Sequence, residues 1–356
     1  MVASEGKRFS FIDILKGIAI ALVVFGHFHP KGVSYPAYEF LNHMVYAFHM
    51  PLFMCASGFL FAFSREIKSF GDYGKLLRDK TRRLLIPYFS ISIIILAVKL
   101  IAQQFIRLEN PVTPDFLWSL FFCPWRGSAT FLWFIYILFI IFAVFPLLKK
   151  YIRSAALLFS LILGLFFINC SMYFSLGVVF RYLIYFYLGV LLFKHKNRII
   201  KRSGLWLPGL FFILLVMLFL AGSGFSGDTA GVILLKKVFE LSMAVSGIML
   251  CVFISLNIDE MSLPGRIFKI LGIFSAPIYL LHTILMAPLR FALNDFMRLN
   301  AVTFTITAII TVGAGVLLPI LITRYFIVRS KNISLFLLGV EPRVFQIPEA
   351  ARRANG

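Results

Sequence analysis

Apolar runs recur along the whole chain, and short polar connections separate them. A helix needs about 20 mostly apolar residues to cross the hydrocarbon core of a bilayer, and several runs have that length. The pattern therefore predicts an all-α fold, a polytopic bundle of transmembrane helices. We expect about ten spans, near residues 11–29, 44–63, 84–106, 130–148, 155–171, 176–193, 205–222, 232–255, 267–288 and 302–328.

No long stretch of ordinary composition remains between these runs. We therefore expect one integral-membrane domain over residues 1–330 and a short cytoplasmic tail over residues 331–356. Hydrophobic residues make up 60% of the chain and charged residues 14%. A soluble domain is about half apolar and a quarter charged, so the composition argues against a soluble enzyme or a soluble binding module.

The formal net charge of +20 carries topological information. Lys and Arg concentrate in alternate connections, which by the positive-inside rule predicts that both termini are cytoplasmic. Membrane lipids with anionic headgroups are the partners that such connections meet. A nucleic-acid partner is not expected, because the basic residues do not cluster on a soluble face. The basic connections are the N-terminus, 64–83, 149–154, 194–204, 256–266 and the C-terminal tail.

The four cysteines show no paired spacing, and no CxxC occurs, so we expect neither a metal site nor a redox motif. Glycine-rich nucleotide-binding motifs are also absent from the sequence. The chain shows no clear internal repeat, which counts mildly against a transporter, since many transporters consist of inverted halves.

The first apolar run contains three ionisable residues, Asp13, Lys16 and His27. Eleven residues of helix turn through almost three full circles, so Lys16 and His27 lie on one stripe, about 16 Å apart along the axis. Asp13 falls on the same stripe. Ionisable groups inside a transmembrane helix are costly and usually face the bundle interior or a wet cavity, where they have a function.

Five short motifs occur in order along the chain: Lys16 with ten residues before His27, the stretch 48–59 (FHMPLFMCASGF), Lys80 and Arg83 followed by 84–88 (LLIPY), 132–134 (LWF) and 278–282 (IYLLH). In this order and spacing they resemble the acyltransferase 3 family of bacterial membrane proteins. Members O-acylate, mostly O-acetylate, surface carbohydrates. Two positions depart from the family pattern, since many relatives have Arg at Lys16 and an Arg-x-x-Arg at Lys80 and Arg83. Lysine cannot make the planar two-point contact of arginine.

The resemblance implies an enzyme of the bacterial inner (plasma) membrane. It would move an acetyl group, or another short acyl group, from cytoplasmic acetyl-CoA to a hydroxyl of a cell-surface or lipid-linked carbohydrate. Acetyl-CoA is then the acyl-donor substrate, the saccharide is the acceptor, and no metal is implied. A transporter or flippase of lipid-linked sugars, without acyl-transfer chemistry, is the alternative, because the same buried ions would line its path.

The resemblance also implies catalytic roles for His27, Lys16 and Asp13. An imidazole suits proton transfer near neutral pH, so His27 acts as a general base or carries the acyl group for a moment. For Lys16 the simpler interpretation is a side chain that extends to the headgroups, or a local ion pair with Asp13. The basic run Lys80, Arg82 and Arg83 would bind the phosphates of coenzyme A. Its simpler interpretation is the topology signal alone.

Six further residues are candidates for substrate binding, each with a structural alternative. His49 assists His27 or binds sugar hydroxyls, whereas Ser57 beside Gly58 is typical of close helix packing. Arg181 is expected to lack a counter-ion and to bind an anionic sugar or diphosphate, while Lys236 and Glu240 neutralise each other. The remaining three are Trp133, which stacks on a sugar or belongs to an aromatic belt, and Tyr279 and His282, which contact substrate or hydrogen-bond each other within the bundle.

Overall fold

The computed structural model describes residues 9–28, 35–64, 67–105, 108, 111–126, 129–168, 175–201, 209, 211–213, 216, 229–296 and 300–345. Within these ranges the chain is helical and contains no strand, which confirms the all-α prediction. The helices are α1 (Ser10–Gly26), α2 (Pro36–Phe63), α3 (Phe70–Lys80), α4 (Ile86–Ala102), α5 (Phe116–Phe122), α6 (Trp133–Tyr151), α7 (Ala155–Phe167), α8 (Leu176–Lys201), α9 (Ala230–Asn257), α10 (Leu263–Ile273), α11 (Ser275–Phe296), α12 (Ala301–Tyr325) and α13 (Lys331–Leu338).

Seven helices in the described ranges are long and apolar enough to cross a membrane. The first predicted span corresponds to α1, which has 17 residues, and the fifth to α7, which has 13. Most of the seventh, 205–222, lies outside the described residues. The seven are Pro36–Phe63, Phe70–Ala102, Thr130–Tyr151, Leu176–Ile199, Ala230–Asn257, Ser275–Leu293 and Ala301–Arg329.

The predicted ninth span, 267–288, is two helices rather than one. The first, α10, ends at Ile273, and α11 begins at Ser275. Pro277 explains the break, because a proline ring collides with the carbonyl four residues earlier in a continuous helix, and that carbonyl belongs to Ile273. Ser275 donates its hydroxyl to the Gly272 carbonyl over 2.9 Å and so satisfies one carbonyl at the end of α10.

The described chain forms two compact units. The first comprises residues 1–67, 144–172 and 176–275. In it α1 packs against α10 and α2, and α2 packs against α8 and α9. Glycines allow these close approaches, because a Cβ at Gly17 would overlap the Phe268 carbonyl and one at Gly58 would overlap the Phe186 carbonyl.

The second unit comprises residues 68–143, 173–175 and 276–356. Ser69 and Asp72 form a capping box at the start of α3, and a π-helical segment, Thr81–Leu85, joins α3 to α4. Hydrogen bonds then fix α4, with the Tyr88 hydroxyl donating to the Leu120 carbonyl over 2.7 Å and the Ser90 hydroxyl donating to the Phe336 carbonyl over 2.7 Å.

Part of the predicted tail, 331–356, is folded. Residues Lys331–Leu338 form α13, and Pro342–Phe345 form a 3-10 turn. Between them Gly339 adopts the left-handed conformation, with φ of 65°, and a Cβ there would overlap the Arg82 carbonyl. The C-terminal segment, defined here as residues 331–345, therefore packs directly on the segment that carries the basic run. Residues 346–356 lie outside the described residues.

Candidate functional site

His27 caps the C-terminal end of α1. The helix ends at Gly26, and the backbone N–H of His27 donates to the Val23 carbonyl over 3.1 Å and to the Val24 carbonyl over 3.2 Å. The ring nitrogen Nδ1 lies 2.9 Å from the same Val23 carbonyl oxygen. A carbonyl only accepts, so Nδ1 carries the proton of the neutral ring and Nε2 carries the lone pair. The helix end therefore sets the tautomer that a general base needs.

Asp13 and Lys16 form the local ion pair that the sequence predicts. The Lys16 Nζ lies 3.3 Å from the Asp13 Oδ1, and the relative exposure of the two side chains is 23% and 7%. A Cβ at Gly272 of α10 would overlap the Asp13 carbonyl, so α10 crosses α1 at this point. Close backbone packing and a neighbouring cation thus hold the Asp13 carboxylate in place. Burying that charge without its partner would be costly.

Polar residues of α2 hold the end of α1. The Tyr46 hydroxyl donates to the Gly26 carbonyl over 3.1 Å, and the Tyr38 hydroxyl donates to the Phe28 carbonyl. The Asn42 side-chain amide in turn donates to the Tyr38 hydroxyl over 3.3 Å. Carbonyls at the end of a helix lack intrahelical donors, and these tyrosines provide donors for them. The sequence interpretation missed all three side chains.

A periodic signal in α2 identifies these residues. Tyr38, Asn42, Tyr46 and His49 follow at intervals of four, four and three residues, so they lie within about 80° of one another around the helix. The apolar interior of the predicted second span, 44–63, drew attention away from this polar stripe, most of which precedes the predicted start.

His49 is fully inside the first unit, with 2% relative exposure. Its Nδ1 lies 2.8 Å from the Val45 carbonyl oxygen, so, as in His27, Nε2 carries the lone pair. The Tyr46 ring lies 4.9 Å from the His49 ring and 6.4 Å from the His27 ring, measured between centroids. The two imidazoles are close enough to interact electrostatically. The structure thus brings His27 and His49 together around Tyr46.

Ser57 faces its own helix. Its hydroxyl donates to the Phe53 carbonyl over 2.8 Å, a bond that serine commonly makes inside helices. The adjacent Gly58 packs on the Phe186 carbonyl of α8, and Gly189 packs on the Cys55 carbonyl of α2. These contacts agree with the close helix packing that the small residues predict.

The expectation that Arg181 lacks a counter-ion is wrong. Its Nε lies 2.5 Å from the Glu240 Oε1, so Arg181 of α8 pairs with Glu240 of α9. Lys236 lies four residues before Glu240 in α9, which made it the expected partner, but the packing of α8 on the same unit brings a guanidinium to that carboxylate. Lys237 Nζ donates to the Phe167 carbonyl at the end of α7 over 2.9 Å.

The three residues of the predicted coenzyme A site differ in their surroundings. Lys80 Nζ lies 3.6 Å from the centre of the Phe142 ring, a cation–π contact that draws it away from solvent. Arg82 and Arg83 lie in the π-helical segment Thr81–Leu85 and are both exposed. The Arg82 Nη2 lies 3.9 Å from the Glu341 Oε1 of the C-terminal segment. Of the basic run, the two arginines are therefore the accessible cations.

Tyr279 and His282 lie on one face of α11. The Tyr279 hydroxyl donates to the Phe131 carbonyl, and the His282 Nδ1 lies 2.8 Å from the Tyr279 carbonyl oxygen. Their rings lie 6.2 Å apart between centroids. Trp133, at the start of α6, is half-buried, and its ring packs edge-on against Phe134 at 6.2 Å. Backbone carbonyls therefore anchor Tyr279 and His282, and the three residues belong to one aromatic cluster of the second unit.

The predicted site residues divide between the two units. The first unit holds Asp13, Lys16, His27, His49, Ser57 and Arg181, and the second holds Lys80, Arg82, Arg83, Trp133, Tyr279 and His282. In the part of the chain that the structure describes, no three His, Cys, Asp or Glu side chains come together as a metal site would require.

Comparison with known families matches residues 9–324 to an acyltransferase domain, that of the acyltransferase 3 family. No curated protein and no solved structure gives a significant match. The matched region covers nearly the whole chain and contains every predicted site residue. Its apolar helices agree with a membrane-embedded domain. The chain therefore belongs to the acyltransferase 3 family and is a multi-pass membrane acyltransferase.

Proposed function

We propose that the chain transfers an acetyl group, or another short acyl group, from acyl-CoA to a hydroxyl of a cell-surface or lipid-linked carbohydrate. The reaction takes place in the inner membrane of a bacterium. The observation that carries this proposal is the fixed tautomer of His27, whose Nδ1 donates to the Val23 carbonyl and whose Nε2 is left as a base.

In the proposed reaction the acceptor oxygen attacks the thioester carbonyl and the carbon–sulfur bond breaks. His27 Nε2 takes the proton of the acceptor hydroxyl as that oxygen attacks, and the imidazolium returns the proton to the departing thiolate of coenzyme A. The products are an ester and free coenzyme A, so atoms and charge balance. The Gly26 carbonyl, held by Tyr46, fixes the helix end from which His27 projects.

The other residues have supporting roles in this proposal. His49 lies close to His27 and also presents Nε2, which suits it to hydrogen-bond an acceptor hydroxyl or to assist in proton transfer. Lys16 and Asp13 hold the face of α1 together through their ion pair. Arg82 and Arg83 bind donor phosphates, because guanidinium groups form charge-assisted hydrogen bonds with phosphate oxygens. Arg181 can bind an acceptor anion only in competition with Glu240.

The test is acetyl-CoA turnover by the purified protein in lipid nanodiscs, measured as release of free thiol with and without saccharide acceptors. His27→Ala should lower the rate by about 10²–10⁴, the usual contribution of a general base. A transporter of lipid-linked sugars would not cleave the thioester at all, so turnover separates the two classes.

His43→Ala is the matched control. His43 lies in α2, is exposed, and donates Nδ1 to the Glu39 carbonyl over 2.8 Å, the same local bond that His27 makes. Its loss should leave turnover unchanged. Wild-type turnover in His27→Ala, or an equal loss in both variants, would remove His27 as the base.

A further inference from the structure

The C-terminal segment, residues 331–345, lies beyond the matched acyltransferase region, which ends at residue 324. It is nevertheless bound to the matched region within the second unit. The Ser90 hydroxyl donates to the Phe336 carbonyl over 2.7 Å, and the Ser334 hydroxyl closes the segment on itself through the Val340 carbonyl, also over 2.7 Å. The contact with the basic run is thus part of the fold of this chain.

Gly339 sets how closely the segment approaches. Its φ of 65° is strained for residues with a side chain, and a Cβ there would overlap the carbonyl of Arg82. A glycine at this position lets backbone meet backbone beside the two accessible arginines. The residues that follow Gly339 are therefore delivered to the basic run.

Glu341 is the residue that reaches it. Its Oε1 lies 3.9 Å from the Arg82 Nη2 and 3.5 Å from the Lys331 Nζ. One carboxylate oxygen thus lies between two cations, one from the π-helical segment and one from the C-terminal segment. A phosphate oxygen has the same charge preference and takes the same kind of contacts.

All three side chains are accessible, with relative exposures of 47% for Arg82, 67% for Lys331 and 43% for Glu341. Ion pairs this exposed contribute only about 0–1 kcal/mol, so a polyanionic ligand can displace the carboxylate at little cost. The surrounding charge favours such a ligand. Residues 78–83 and 329–345 contain seven basic side chains against two acidic ones: Arg78, Lys80, Arg82, Arg83, Arg329, Lys331 and Arg343 against Asp79 and Glu341.

We infer that the C-terminal segment is the second wall of the donor phosphate site, with Lys331 as a phosphate ligand and Glu341 as a built-in competitor for the same position. This inference rests on the proposed function, since it names residues that select the donor of that reaction. Glu341 keeps the cations paired when no donor is bound and weakens donor binding.

The experiment is calorimetric titration of coenzyme A into the full chain in phosphatidylcholine nanodiscs, so that no anionic lipid competes. Glu341→Gln should tighten coenzyme A binding by about two- to five-fold, the range that an exposed ion pair permits. Lys331→Gln should weaken binding by about three-fold or more, since a charged hydrogen bond to phosphate is lost. Both positions are exposed, so both variants should fold, and their melting temperatures check this.

Arg343→Gln is the control, because it removes one exposed positive charge from the same segment. It should change the affinity less than Lys331→Gln does. Equal weakening by the two variants would mean that only the overall charge of the segment matters, and unchanged affinity in Glu341→Gln would remove the competitor; either result overturns the inference. A wild-type chain that does not bind coenzyme A would overturn the acyl-CoA donor of the proposed function as well, and so is distinguishable from both.

Discussion

The Tyr46 hydroxyl donates to the Gly26 carbonyl, over 3.1 Å, one residue before His27. The same side chain places its ring 4.9 Å from the ring of His49. One tyrosine of α2 therefore holds the end of α1 with its polar tip and contacts the second imidazole with its apolar body. This double contact makes Tyr46 a positioning residue for the proposed base.

Tyr46→Phe keeps the ring and removes the hydroxyl. We expect a loss of about 1 kcal/mol in unfolding free energy, the usual net contribution of such a bond, together with slower acyl transfer because the end of α1 is less well fixed. Tyr73→Phe is the control, since Tyr73 donates to the Ala143 carbonyl over 2.9 Å in the other unit. Thermal unfolding and thioester turnover of the two variants are compared. A similar loss of turnover in both would show that Tyr46 acts through stability alone.

Gly17→Ala should destabilise the first unit. Its Cβ would overlap the Phe268 carbonyl, so α1 and α10 must move apart, at a cost of about 1–3 kcal/mol. Gly313→Ala is the matched substitution, because nothing lies within 4 Å of a Cβ at that position of α12. It should be neutral or stabilise by about 0.4–1 kcal/mol, since alanine restricts the unfolded chain. Melting temperatures in the same detergent decide, and equal behaviour of the two variants would contradict the close α1–α10 packing.

The sequence predicts the helical class and the Asp13–Lys16 pair well, because both follow from local spacing. It does not predict the partner of Glu240. Lys236 is near in sequence, but Arg181 is nearer in space, and only the packing of α8 and α9 decides between them. The caps Tyr38 and Tyr46 were missed for a related reason, since a hydrogen bond between two helices leaves no mark on either helix alone.

Labelling tests the predicted orientation, which has both termini in the cytoplasm. Thr113 and Gly74 are both exposed, and nothing lies within 4 Å of a Cβ at Gly74. A cysteine at Thr113 should react with an impermeant maleimide in intact cells, whereas a cysteine at Gly74 should react only after the cells are opened. The background protein, with its native cysteines, is the control for their reactivity. The opposite labelling would reverse the orientation and move the basic run to the outer side.

Glu260 should make folding stability depend on pH. The pKa of Glu260 is lowered, because Lys269 donates a hydrogen bond to its carboxylate over 2.8 Å and Ser10 donates another. A lowered pKa means that the folded state favours the charged form. The contribution is therefore complete above the ordinary glutamate pKa, and it is lost as the pH falls through the folded value.

The measurement is melting temperature against pH for the wild type and Glu260→Gln. The wild type should be the more stable protein near neutral pH, and the difference should shrink as the pH falls below the ordinary glutamate range of about 4.3. A constant difference across that range would mean that Glu260 acts without its charge.

The π-helical segment Thr81–Leu85 has a consequence for which sequence changes this chain can accept. A π turn holds one residue more than an α turn, and Phe70–Ala102 is otherwise one continuous helical stretch. Deleting any single residue of the segment would allow a regular helix and rotate everything after it by about 100°. Tyr88 and Ser90 would then turn away from the Leu120 and Phe336 carbonyls that they contact. At this point the number of residues, more than their identity, carries the structural information.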